Sequence, residues 1–529
     1  ARQLAAFICD AQEQTAAAKP EAVAQMAALG SAAVNGPNQF AQRRATLCAE
    51  TGVHPLSFNQ MQLLLVHLQA PESAAYNEPI TLWLRGPLLV EALGAALEEL
   101  VRRQAVLRTS FEPDAAGGFV QRVHAPPSAA ALLQRVAAPT DEAAEALAAK
   151  DAAVAFALLA TGAAPFRCLL VRVEADRHLL QMTTHHVACD ATSADVMMRE
   201  LGALYRRASG SDAGAPLVEP RAQYVDFAAW QREVVAPLLG PQRAWWRAHL
   251  REGEVPPLNF PLDWPRPAVQ TFNGGVVPLS LPAELTTRLA AAARAHGCTL
   301  FQLVLAVWGL LLCRHAGQEE VVVGCPYHGR DAVGTAGLVG YFVNVLPLRV
   351  GAARGGTVGA LLRGAREAAV GGMAHAALPL QLLAHEELPR RAHDASRNPV
   401  FQAMLAWGDA DERALAGGGG ATGGGAGGAA FGPVVEVEPV RAEARAEAEA
   451  EAGRAGVAKV ELTLSASEAA SGGIDGAIEY NRDLFERGSV ERLAARLGAL
   501  AAAVAAAPAD ADAWAMPLAG SNHVAHQRT

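Results

Sequence analysis

Cysteine is scarce in this chain, and no cysteine sits where a framework would need it. Cys9, Cys48, Cys168, Cys189, Cys298, Cys313 and Cys325 are scattered, and no two of the seven form C-x-x-C. An odd, dispersed set argues against a disulfide scaffold or a zinc ribbon. It is the usage expected of free thiols in a reducing compartment, here the cytoplasm. A long apolar run is also missing. The longest, residues 300–313, contains Gln302 and stops at Arg314. It is too short to span a bilayer and is predicted to be a buried helix. There is no basic stripe either. The net charge is -9 and 18% of residues are charged, whereas a nucleic-acid groove needs the opposite sign. No signal peptide is visible, and the chain opens on Ala1 rather than Met, which leaves room for a longer parent chain. No segment repeats at a fixed short period, so a solenoid is not expected.

What is present suits two or three domains: 529 residues, about half of them hydrophobic. Residues 1–52 are rich in Ala and Gln and read as a helical or loose lead-in; 521–529 read as a tail. The body is mixed α/β. Strands are predicted at 80–85, 178–184 and 320–324, and a helix at 90–105 with Leu93, Leu97, Leu100 and Val101 on one face. A helix-rich stretch over 223–250 leads to a connector marked by Pro256, Pro257, Pro261, Pro265 and Pro267. A second α/β region begins near Val276, and its helix over 282–296 precedes the buried helix. A first lobe over 53–222 and a second over 223–520 follow from this order. Two low-complexity runs, Gly/Ala over 416–430 and Ala/Glu/Arg over 441–456, read together as a dispensable insert, because they cannot bury enough apolar surface to offset ordering. Strands at 457–464 and 476–480 and a helix at 489–507 close the body.

One run carries chemistry: Met182-Thr183-Thr184-His185-His186-Val187-Ala188-Cys189-Asp190-Ala191-Thr192-Ser193. A strand ends near Thr184 and a helix starts near Ser193, with Thr192 and Asp195 at capping-box-like spacing. Adjacent histidines on extended backbone point to opposite sides, so they cannot share a task. One catalytic His, one structural His and one structural Asp are the economical reading. Asp190 is expected to be buried beside an arginine, Arg108 being the candidate. A metal would need further ligands at a recognisable spacing, and none is found in the sequence.

The run resembles the H-H-x-x-x-D-G signature of the condensation domains of nonribosomal peptide synthetases, within the chloramphenicol-acetyltransferase-like superfamily. Further motifs occur in that family's order. Ser57-Phe58-Asn59-Gln60 resembles S-x-A-Q, and Leu107-Arg108-Thr109-Ser110-Phe111 matches L-R-T-x-F. Tyr224-Val225-Asp226-Phe227-Ala228-Ala229-Trp230-Gln231 matches Y-x-D-F-A-x-W-Q. Gly340-Tyr341-Phe342-Val343-Asn344-Val345-Leu346-Pro347-Leu348-Arg349 resembles G-x-F-V-N-T-L-P-L-R, and Ser396-Arg397-Asn398-Pro399-Val400-Phe401-Gln402 matches S-R-N-P-L-F-Q. The resemblance implies an α/β fold of two acyltransferase-like lobes forming a V around a tunnel. It implies amide formation between acyl groups on the phosphopantetheine arms of carrier domains, with His186 as catalytic residue and His185, Asp190, Arg108 and Asn344 in support. No metal or dissociable cofactor is implied. The carriers' own L-G-G-x-S-like serine site is absent from the sequence, so the arms come from partner domains. The sequence departs from the family at Ala191, where a Gly is usual, around His375, and at Lys459-Val460-Glu461-Leu462 in place of K-F-D-L. Ala191 keeps a non-catalytic docking module in view. An ester-forming acyltransferase or an epimerisation domain carries a similar His motif.

Overall fold

The structure is a computed structural model describing residues 51–114, 118–211, 217–251, 256–332, 334–384, 394–408, 435–439 and 456–518. The lead-in, save its last two residues, and the tail lie outside the described residues. The first half runs β1 Gly52–Pro55, α1 Phe58–Gln69, β2 Asn77–Arg85, α2 Val90–Arg103, β3 Thr109–Pro113, β4 Phe119–Val123, β5 Leu133–Ala137, α3 Asp141–Ala152, β6 Phe166–Glu174, β7 Arg177–His185 and α4 Ala191–Ser209. After α5 Tyr224–Trp230 and α6 Gly240–His249 come β8 Gly274–Leu281, α7 Ala283–Ala295, α8 Leu300–Ala316, β9 Glu320–Tyr327, β10 Asn344–Gly351, α9 Val358–Ala374, β11 Ala403–Trp407, β12 Glu436–Pro439, β13 Leu462–Glu468, β14 Ile474–Asn481 and α10 Arg487–Ala506.

The chain is mixed α/β, with two main sheets and two large apolar cores. A five-stranded sheet has the order β12-β2-β7-β6-β5, and a six-stranded sheet has the order β10-β9-β11-β13-β14-β8. Helix α2 buries Leu93, Leu97, Leu100 and Val101, the stripe its spacing predicts. The apolar run becomes α8, whose residues from Gln302 to Cys313 are all buried in the second core. Its width of apolar surface suits a helix enclosed by sheet and helices rather than one lying on a surface. Among the described residues, no single helix is long and apolar enough to cross a membrane.

Two expectations need correction. The segment 416–456 is not low-complexity throughout, because β12 lies inside it and pairs antiparallel with β2, Val437 opposite Leu84. Val435 and Val437 are buried in the first core. Composition hid this strand: four residues between two low-complexity runs leave little periodicity to read. The runs themselves, 416–430 and 441–455, lie outside the described residues. Replacing residues 435–439 with a Gly/Ser linker is therefore expected to lower the melting temperature. Each buried valine contributes roughly 1.5–3 kcal/mol. Shortening 416–430 alone should leave it unchanged. Equal melting curves for both deletions would show that β12 adds nothing.

The second correction concerns 457–464. Only Leu462 onward joins the sheet; Val457 makes an isolated bridge to Asn273. The intervening residues are irregular, which frees Lys459 and Glu461 to make side-chain contacts. Glu461 takes a two-point ion pair from Arg266 at 2.7 and 3.0 Å.

Candidate active site

Strand β7 ends at His185. Its pairing with β2 sets His185 opposite Asn77 and Thr184 opposite Glu78. His185 turns inward and is 2% exposed. Its Nδ1 accepts the Val187 N–H at 3.1 Å, and its ring meets His67 and Phe156 edge-on. Burial above all holds this imidazole well below its ordinary pKa, so it packs as a neutral ring.

His186 opens a short 3-10 turn and keeps contact with solvent. Its backbone N–H donates to Tyr76 O at 2.7 Å. Its Nδ1 lies 2.6 Å from Cys189 O. A carbonyl only accepts, so Nδ1 carries the proton and the neutral ring presents its lone pair at Nε2. Tyr341 lies 4.8 Å from the ring and Tyr76 stacks on it at 6.3 Å. Glu78 Oε1 stands 3.7 Å from Nε2 and accepts from Lys459 Nζ at 2.9 Å. Burial lowers the His186 pKa most; Glu78 pulls it back up and Lys459 pulls it down again. The ring is therefore neutral near pH 7.

Asp190 is 3% exposed and organises the loop. It is the N-cap of α4, its Oδ1 accepting the Ser193 N–H at 2.8 Å. The helix thus starts at Ala191, two residues earlier than expected, because the carboxylate caps it in place of Thr192. Arg330 Nη2 donates to the same oxygen at 2.7 Å, and the Phe342 N–H donates to Oδ2 at 3.0 Å. Arg330 also reaches Ser193 Oγ and the carbonyls of Thr335 and Leu338, and its guanidinium lies 4.2 Å from the Phe342 ring. Arg108, the cation expected from the sequence, does not fill this role. It donates to the carbonyls of Val101, Arg102 and His124 and braces the turn before β3. The contact Asp190 makes spans 140 positions, and no local spacing could have revealed it.

The flanking motifs converge on residues 340–343, which leave the second half and enter the first core. Tyr224 OH lies 2.8 Å from Ser57 Oγ and donates to Tyr341 O at 2.6 Å. Asn59 Nδ2 donates to Val343 O at 2.7 Å, and Gln231 Oε1 accepts the Phe58 N–H. Gly340 is required by this approach, since a Cβ there would stand 1.9 Å from Tyr224 Cδ2. Gly329, at φ +63°, turns the chain so that Arg330 faces Asp190. Asn344 ties the next loop: its Nδ2 donates to Ala376 O and Leu378 O, and its Oδ1 accepts the Leu380 N–H. Of the five residues expected at the site, His185, His186 and Asp190 share one loop; Asn344 and Arg108 support other segments. Sequence reasoning missed Arg330, Glu78 and Tyr76. It noted Lys459 only as part of a divergent motif.

The described residues thus form a two-half α/β fold with His186 just past the end of β7 and the buried Asp190–Arg330 pair in the same loop region. The family model described as Condensation domain matches residues 50–515, and the chain belongs to the condensation-domain family of nonribosomal peptide synthetases. It is similar to Tyrocidine synthase 3 of Brevibacillus parabrevis, 33% identical over 84% of this chain and 6% of that protein. It is also similar to the Phosphinothricin tripeptide synthetase PhsC of Streptomyces viridochromogenes, 33% identical over 98% of this chain and 45% of that protein. The chain thus spans less than half the length of either relative. Among solved structures, the X-domain in complex with OxyB from teicoplanin biosynthesis superposes with a TM-score of 0.74, at 27% identity, over 88% of this chain and 96% of that one. The first condensation domain of the calcium-dependent antibiotic synthetase shares the fold at a TM-score of 0.65 and 21% identity, over 88% of this chain and 100% of that one.

Proposed function

We propose that this chain joins a donor acyl or peptidyl thioester to an acceptor aminoacyl group by an amide bond. Both groups arrive on phosphopantetheine arms of carrier domains, through the tunnel that the family resemblance implies. The acceptor nitrogen attacks the donor carbonyl; the C–N bond forms, the C–S bond breaks, and the pantetheine thiol leaves. His186 Nε2 takes the proton the amine sheds and can return it to the departing sulfur. Tethering supplies much of the rate by replacing a bimolecular encounter with a positioned one. No metal or cofactor of the chain's own enters this scheme. The observation that carries the reading is the hydrogen bond from His186 Nδ1 to Cys189 O. It leaves a lone pair at Nε2 of a side chain that is 17% exposed. The test is incubation with pairs of loaded carrier domains and mass spectrometry of the acceptor arm. A gain in acceptor mass equal to the transferred acyl group is expected.

A second reading draws on the likeness to the X-domain solved in complex with OxyB from teicoplanin biosynthesis: a condensation-like module that docks a carrier or tailoring protein and transfers nothing. Ala191 bears on the choice. Among the described residues only Arg251 is a non-glycine with positive φ, so Ala191 sits at negative φ as the first residue of α4. Ala therefore adds no backbone strain at this loop. Ala191→Gly is expected to leave turnover within about twofold and to cost about 0.5–1 kcal/mol of stability, since Gly is the poorer helix residue. If neither the wild type nor Ala191→Gly transfers an acyl group between several loaded carrier pairs, yet the carriers bind, the docking module is favoured.

A further inference from the structure

Glu78 and Lys459 come from different halves of the fold and meet beside the base. Glu78 lies on β2, in the first sheet; Lys459 precedes β13, in the second half. Their 2.9 Å ion pair is partly exposed, with side chains 26% and 35% accessible, and its carboxylate oxygen lies 3.7 Å from His186 Nε2. Lys459 Nζ is also 5.3 Å from the centre of the Tyr76 ring, which stacks on His186. Backbone pairing explains why Glu78 stays in place. Thr184 lies opposite it in the sheet and its hydroxyl donates to Glu78 O. Lys459 is held from its other side, where its own carbonyl accepts from Gln270 Nε2 at 3.0 Å.

We propose that the Glu78–Lys459 pair is a positioning device for this reaction, joining the two halves beside His186 and fixing the charge that the base meets. The proposal rests on the reading of His186 as the base. Two opposite charges this close act on Nε2 in opposite senses and offset one another while they remain together. Either one alone would act on the imidazole strongly. The other groups facing His186 are Tyr76, Tyr341, His185, Cys189 and Asp190. Burial raises the pKa of both tyrosines and of the Cys189 thiol, and lowers that of His185, so these four stay neutral near pH 7. Asp190 is tied up with Arg330. The pair is thus the site's adjustable charge, and separating the halves would unbalance it.

The test is the titration of His186, read by NMR of its ring proton and by the acid limb of the pH–rate profile. Glu78→Gln leaves the cation alone and should move the His186 midpoint down by about half a pH unit or more; Lys459→Gln leaves the anion alone and should move it up by a similar amount. The double variant Glu78→Gln/Lys459→Gln should return close to the wild-type midpoint. Opposite shifts that cancel in the double variant support the device. Shifts of one sign, or none, in folded single variants overturn it. The NMR titration needs no substrate. An inert wild-type chain with opposite NMR shifts would refute the amide-forming reading and leave the charge balance standing. An active chain without those shifts would do the reverse.

Discussion

Replacing Arg330 with Ala is expected to destabilise the chain by about 3–5 kcal/mol, because it leaves a buried carboxylate without its cation. Asp190 and Arg330 are 1% and 5% exposed at their side chains. The remaining donors to Asp190 are the Ser193 hydroxyl and the Ser193 and Phe342 N–H groups, which are neutral and cannot replace a charge. Asp190→Ala should cost about as much and should also fray the start of α4, since its N-cap is lost. The two losses should not add. In Asp190→Asn/Arg330→Met both charges go together, so this variant should be more stable than Arg330→Ala alone. Urea denaturation of the four proteins checks this. Additive losses, or an Arg330→Ala midpoint equal to wild type, would show that the pair does not hold the loop.

His186→Ala is expected to reduce amide formation by about 100- to 10,000-fold, the usual range for a positioned base. Its melting temperature should stay near wild type, because the ring is partly solvent-exposed and its hydrogen bond to the backbone is local. His185→Ala should do the opposite, lowering stability through a void among His67, Phe156 and Tyr76. The pH profile adds a sign. Burial holds the His186 pKa below its ordinary value, so the acid limb of the rate should fall below pH 6.5, with neutral base present above it. Wild-type turnover by His186→Ala with loaded carriers would remove this residue from the chemistry.

Much of this site is legible in the sequence wherever the signal is local. The period of two along β7 already separates His185 from His186, and the polar run after it already implies a loop followed by a helix. The apolar spacing of α2 and the uniform hydrophobicity of α8 give their buried faces directly. What stayed hidden is long-range. Arg330 and Lys459 are brought to the loop by the packing of the second half on the first, and no short window contains both partners. Arg108 was the nearest well-placed cation by motif, yet backbone carbonyls hold it in the turn before β3. Strand β12 escaped because its pattern is four residues long and its neighbours in sequence are compositionally extreme.

The strand order also constrains how the protein can be made. Ribosomes release the first half long before β12, yet β12 completes the edge of the first sheet beside β2. Leu338, Val339, Tyr341 and Phe342, also made after the first half, fill the first core. A nascent chain stopped near residue 222 would carry an open strand edge and an unfilled apolar hollow, both invitations to aggregate. The first half is therefore expected not to finish folding as an independent early unit during synthesis. Expressing it alone should yield insoluble material, whereas co-expression with the remainder gives the late segments a chance to close it.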